Sequence, residues 1–100
     1  MQFKIYISGK ITGKSRGAVE RDFSRGVLIA VRNGFIPYNP LNNGLPRRSP
    51  WLLHMIVDII TMLRCHAVLM LHDWEESKGA RIEHYIAQAT GKYVCYEDRT

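Results

Sequence analysis

Ala67-Val68-Leu69-Met70-Leu71-His72-Asp73-Trp74-Glu75-Glu76-Ser77-Lys78-Gly79-Ala80-Arg81-Ile82-Glu83 decides how the rest of the chain is read. The first five residues form a continuous apolar run, as in a strand buried on both faces of a parallel sheet. A polar loop follows, and then a helical pattern from about Gly79 to Ala89, with Ile82, Ile86 and Ala89 as its expected core side and Gly91 as its stop. Strand, polar loop and helix start make the junction at which open α/β sheets bind ligands. A Ser-Lys-Gly turn there offers unpaired N–H groups and the positive end of a helix dipole, which suits an anion such as phosphate. Glu83 would face whatever that loop holds. The alternative is an exposed glutamate favoured by the helix dipole, but the small residues Ala80 and Ala87 on its side leave room for a ligand.

Working outward, Phe3-Lys4-Ile5-Tyr6-Ile7 reads as the first strand and ends at Ser8-Gly9. The loop from Ser8 to Lys14 carries two glycines, two lysines and two hydroxyl groups. It lacks the Gly-x-x-x-x-Gly-Lys-Ser/Thr spacing of a P-loop, so it is either a phosphate cradle or a plain turn. Val19, Phe23, Val27, Ala30 and Val31 give a helical period over Ala18 to Asn33, stopped by Gly34. Phe35 to Tyr38 is a short strand whose Pro37 predicts an edge or strand-end position. Asn39 to Pro50 is a long loop with Arg47-Arg48, either a binding loop or a solvated connector. Tyr93 to Tyr96 is the last strand, and Glu97 to Thr100 reads as a polar tail. Strands and helices alternate throughout, predicting a single three-layer α/β domain over 1–100. Its flavodoxin- or Rossmann-like parallel sheet would have four or five strands, with helices on both faces.

Trp51 to Leu63 is almost wholly apolar, broken by His54, Asp58 and Thr61. A helix so apolar all round must be covered on more than one side. In so small a domain the second cover is expected to be another subunit, giving a homodimer or higher homo-oligomer. Asp58 either lies on a wet stripe with His54 and Thr61 or is buried with a partner, since a buried lone carboxylate is costly.

At 100 residues, with 46% hydrophobic and 23% charged residues, the composition is that of an ordinary soluble globular protein. No apolar run approaches a membrane span, and no signal peptide is legible. Cys65 and Cys95 lie far apart without Cys-x-x-Cys spacing and read as buried thiols, which with the missing signal predicts cytoplasmic residence. The four histidines show no metal spacing and read as structural or surface groups; neither a metal nor an organic cofactor is expected. Net charge is +5 and the isoelectric point about 9.5. The cations are scattered, without a basic and aromatic stripe, so a small phosphorylated ligand is expected rather than nucleic acid.

In this fold the ends of strands one and three share one edge of the sheet. Tyr6, the Ser8–Gly13 loop, Ser77-Lys78-Gly79 and Glu83 would meet there, with Asp58 if its helix overlies that edge. Asp73 and Trp74 would line the mouth, or Trp74 would belong to the core. Two carboxylates and a tyrosine beside an anion cradle suit glycosidic-bond chemistry.

Several pieces in order carry a resemblance: Ile5-Tyr6-Ile7-Ser8-Gly9 with Ile11-Thr12-Gly13, Trp51, Asp58 seven residues before Cys65, and Asp73 to Glu83. Together they resemble a group of small phage and bacterial proteins related to the nucleoside 2-deoxyribosyltransferases and the 2'-deoxynucleoside 5'-phosphate N-hydrolases. The likeness spans nearly the whole chain, and Ser-Lys-Gly-Ala-x-x-Glu is its most specific part. It implies Glu83 as nucleophile on the anomeric carbon, Tyr6 as its orienting group and Asp58 as a helper at the sugar or the departing base. It also implies Ser77, Lys78 and Gly79, with Ser8, Gly9, Lys10, Ile11 and Gly13, as the 5'-phosphate side. The ligand would be a nucleoside or nucleotide, bound in sites shared between subunits. The sequence departs from that group at Lys10, where proline is frequent, at His66, where aspartate usually follows the cysteine, and in the short Tyr38–Trp51 segment. The same pocket would also serve a nucleotide binder that does no chemistry.

Overall fold

The computed structural model describes residues 2–98. Its strands are β1 (Lys4–Ser8), β2 (Ile36–Tyr38), β3 (Ala67–Met70) and β4 (Tyr93–Tyr96), and its helices α1 (Arg16–Arg32), α2 (Trp51–Leu63) and α3 (Lys78–Ala89). They form a three-layer α/β fold of the Rossmann or flavodoxin kind. The sheet is parallel throughout, in the order β2-β1-β3-β4. Four strands are present among the described residues, at the lower end of the expectation. Residues of β1 from Ile5 onward and all of β3 are buried, whereas β2 and β4 are half-exposed edges. Pro37 therefore falls on an edge, where its missing N–H costs little.

Strand alternation divides the core in two. Ile5, Ile7, Ala67, Leu69 and Leu71 face α1 through Val19, Phe23 and Ala30. Tyr6, Val68 and Met70 face the other way, toward Met62 of α2 and Ala80 and Ala87 of α3. Gly26 lets α1 approach closely, since a Cβ there would stand 2.9 Å from Leu71 Cδ2. Switching from α1 on one face to α3 on the other opens a crevice at the carboxyl ends of β1 and β3.

The helix limits follow capping. Ser15 accepts from Ala18 N–H at 3.2 Å and starts α1 two residues before the expected Ala18. Ser77 accepts from Ala80 N–H at 3.1 Å and starts α3 at Lys78. Two helix faces differ from expectation. On α1 Gly26 joins Val19, Phe23 and Ala30 on the buried line, while Val27 is half-buried and Val31 is exposed. On α3 the buried line is Ala80, Glu83 and Ala87, with Ile82 and Ile86 flanking it and Ala89 exposed. The apolar period had pointed away from the line on which Glu83 lies.

Within one chain α2 lacks its second cover: Leu52, Ile56, Ile60 and Leu63 are all exposed. Cys65 is buried and Cys95 half-buried, both as free thiols, and burial raises the pKa of each. Residues 99 and 100 of the expected polar tail lie outside the described residues. Glu97 is no tail residue: it is buried, its N–H donates to Met70 O at 2.8 Å and its carboxylate pairs with Arg25. No helix among the described residues is long and apolar enough to cross a membrane.

Candidate active site

Tyr6 and Ser8 are two residues apart on β1, so both point to the face covered by α2 and α3. Glu83 enters from the buried line of α3 and is 5% exposed. The Tyr6 hydroxyl donates to Glu83 Oε2 at 2.7 Å and the Ser8 hydroxyl to Oε1 at 2.7 Å. Each carboxylate oxygen is thus held by one hydroxyl, in a fixed orientation. Burial pushes the Glu83 carboxyl up to about 7, with the charge of Asp58 adding to the rise and the two hydroxyl donors opposing it. Burial, and then Glu83 itself, raise the Tyr6 phenol well above its ordinary value, so it stays a proton donor. Tyr38 stacks on the Tyr6 ring at 5.9 Å.

Asp58 is the second carboxylate, 7% exposed rather than on a wet stripe. Asn43 Nδ2 donates to its Oδ1 at 3.1 Å and lies 3.0 Å from His54 Nδ1, while His54 Nε2 stands 3.1 Å from Pro46 O. Burial raises the Asp58 pKa, against the pull of Asn43 and His54. The 39–50 loop is therefore latched onto α2 at the carboxylate. The first turn of that loop is a 3-10 turn, Pro40–Asn42.

These groups border a cavity of about 260 Å³, lined by Tyr6, Ser8, Asp58 and Glu83. Gly9, Ile11 and Thr12 form its β1 rim, and Ser77 its α3 rim. Trp51, His54 and Met55 contribute from α2, and Leu41, Asn43, Leu45 and Arg47 from the 39–50 loop. The volume is near the lower end for small-molecule sites.

The expected phosphate residues divide. Gly9, Ile11 and Ser77 line the cavity, as does Ser8, although its hydroxyl is committed to Glu83. Gly79 instead packs where α3 meets α2, and a Cβ there would stand 3.0 Å from Met55 Sδ. Lys78 is exposed, its Nζ 5.4 Å from the Trp51 ring centroid. Lys10 turns to Glu76 at 3.4 Å and its N–H to Asp73 Oδ1 at 3.3 Å. Gly13 sits at φ +85° in the outer turn of the loop. Lys14 is bound between Asp22 and Asp73. The lysines of the first loop thus tie it to the Asp73–Glu76 segment.

Asp22, His72 and Asp73 are the one group with donor atoms clustered closely enough for a metal among the described residues, and Lys14 already bridges its two carboxylates. Each histidine has a structural contact: His54 in the latch, His66 accepting from Lys4 N–H at 3.1 Å, His72 beside Glu97 at 3.2 Å, and His84 against Tyr96 at 2.7 Å. Trp74 stacks on His84 at 4.1 Å and does not line the cavity.

Sequence reasoning missed Asn43 and the bond between Ser8 and Glu83, and it named Arg47 only within a loop that could either bind or merely connect. A hint was available in His54, one turn before Asp58, but nothing in a periodic pattern points to one asparagine of a loop.

The family profile described as a domain of unknown function, DUF4406, matches residues 3–96. The chain belongs to the DUF4406 family. That match spans every strand and helix and all the cavity residues named above. No curated protein matches the sequence.

Proposed function

We propose that this DUF4406 chain cleaves or transfers the N-glycosidic bond of a deoxynucleoside, in particular a deoxynucleoside 5'-monophosphate. One observation carries the reading: a buried carboxylate, oriented by two hydroxyls, shares a small cavity with a second carboxylate. The resemblance to the nucleoside 2-deoxyribosyltransferases and the monophosphate N-hydrolases supports the same assignment. In its ionised form Glu83 attacks the anomeric carbon as the bond to the base breaks and the electron pair leaves on the base nitrogen. Asp58, on the facing wall of the cavity, assists at the departing base, and that nitrogen takes its proton from solvent. Water then attacks the glycosyl ester and gives up a proton to solvent, freeing the Glu83 carboxylate and yielding deoxyribose 5-phosphate; a second base in place of water gives transfer. Tyr6 and Ser8 keep the carboxylate aimed during both steps. No metal or organic cofactor enters this scheme.

The direct test incubates the protein with the deoxynucleoside 5'-monophosphates and follows free base. Release that Glu83→Gln abolishes supports the proposal, and no release from any of them sinks it. A second reading, a nucleotide binder without turnover, is favoured by the fact that both Glu83 oxygens already accept hydrogen bonds. Heat of binding without base release would support it.

A second copy of this chain is the proposed cover of α2, whose exposed residues Leu52, Ile56, Ile60 and Leu63 form an uncharged apolar strip. Trp51 and Met55 place the start of that helix at the cavity rim, so a partner there would border the site. Light scattering should give a dimer mass for the natural chain and a monomer mass for Ile56→Asp; a monomeric natural chain defeats this part. The proposed setting is the cytoplasm of a bacterium or of a phage-infected cell.

A further inference from the structure

Arg47 is the one guanidinium among the described residues that line the Glu83 cavity, and no lysine lines it. The lysines expected to meet an anion are committed elsewhere: Lys10 to Glu76, Lys14 to Asp22 and Asp73, and Lys78 to the Trp51 ring. Among the described residues Arg47 has no ion pair with a carboxylate. It also borders a shallow surface depression that contains Glu20, but Glu20 is bound to Arg16 at 2.9 Å.

Its position is fixed by what surrounds it. Pro46, the residue before it, presents its carbonyl to His54 Nε2 at 3.1 Å and accepts from Ser49 N–H at 2.9 Å. Leu45 N–H is held by Asn43 Oδ1 at 3.0 Å, and Asn43 reaches Asp58. Arg47 therefore stands in a short turn anchored to the same helix that carries the second carboxylate. A free guanidinium at the rim of an otherwise acidic cavity is suited to a phosphate, which it can grip through two parallel N–H donors.

We infer that Arg47 is the specificity-determining residue of this site, gripping the phosphate of the substrate and thereby selecting the nucleotide over the free nucleoside. This rests on the reaction proposed above and assigns the recognition of the anion to the 39–50 loop rather than to the lysines of the first loop. Arg47 touches no reacting atom; it sets which molecules are held with the anomeric carbon at Glu83.

The test compares kcat/KM for deoxynucleoside 5'-monophosphates and for the matching deoxynucleosides. In Arg47→Ala the preference for the monophosphate should fall roughly 10- to 100-fold, mainly through KM, the value of a charge-assisted pair of hydrogen bonds. Arg47→Lys, which keeps the charge but not the fork, should fall between. Arg48→Ala, next to it but outside the cavity lining, should leave the preference as it is. An unchanged preference in Arg47→Ala, or an equal loss in Arg48→Ala, overturns the assignment. If no base is released, the reaction fails but Arg47 is still judged, by thermal stabilisation with the same monophosphates. A rise in melting temperature that Arg47→Ala removes upholds it; no rise, or the same rise in both proteins, overturns it.

Discussion

The wall of the cavity built by β1 and α3 and the wall built by α2 and the 39–50 loop each contribute one carboxylate, but they hold it differently. Glu83 is gripped by two hydroxyls, both from the inner strand β1, and neither donor can leave without opening the core. Asp58 is gripped by a single loop amide that also meets a histidine, and the loop continues into Arg47 at the cavity lining. The first wall is rigid and closed, as suits a group that must meet one atom in one direction. The second is anchored at a few points and open to solvent, as suits a surface that recognises a substrate.

The sharpest way to break this contrast is at Glu83. Glu83→Gln should lower turnover by ~1,000-fold or more if the carboxylate is the nucleophile. Because burial raises its pKa from 4.5 to about 7, the folded protein binds a proton there that the unfolded chain gives up. Stability therefore falls as pH rises from about 4.5 to about 7 and stays lowered above that. Glu83→Gln removes this penalty and should be more stable at pH 8 by up to ~3 kcal/mol, read from urea unfolding. A variant both inactive and no more stable at pH 8 would contradict the burial of a charged carboxylate.

Asp58→Asn comes next, with an expected loss of ~100-fold for removing the carboxylate that assists the departing base. It carries a second signature. The Asp58 charge helps to raise Glu83, so the acidic limb of the kcat/KM profile, which should rise through about pH 7 in the natural protein, moves to lower pH. Tyr6→Phe should cost roughly tenfold, the worth of one hydrogen bond to the carboxylate. Its limb moves the opposite way, to higher pH, because the lost donor favoured the charged form. Opposite displacements in these two variants are the distinguishing measurement; displacement in one direction would mean the walls do not act on Glu83 as described.

The smallest effect is expected for Asn43→Ala, a loss of about threefold to tenfold, with the 39–50 loop more open to proteolysis. Should it equal Asp58→Asn, the loop does more than steady the aspartate.

Much of this architecture was legible without coordinates. The unbroken run Ala67–Leu71, the alternation in β1 and the helical periods before Gly34 and Gly91 specified a parallel α/β sheet, since strand and helix periods are local properties of the chain. The same alternation put Tyr6 and Ser8 on one face, and the position of Glu83 after the Ser77 cap put it in the early turns of α3. Less was legible where partners are distant in sequence. The apolar residues of α3 suggested a core line through Ile82, Ile86 and Ala89, whereas the buried line runs through Ala80, Glu83 and Ala87. A charged residue on a buried line is invisible to an apolar period.

By itself, then, the sequence determined the element order, the crossover fold and the edge of the sheet at which a ligand would bind, because these follow from local periodicity and chain connectivity. Only the tertiary structure decided what each polar group does there. Ser8 serves Glu83, Lys14 is absorbed by Asp22 and Asp73, and Asn43 holds Asp58, while Arg47 lines the cavity without an ion pair among the described residues. Hydrogen-bond and charge partners are chosen by proximity in space among many residues of the right type, and no spacing along the chain encodes that choice.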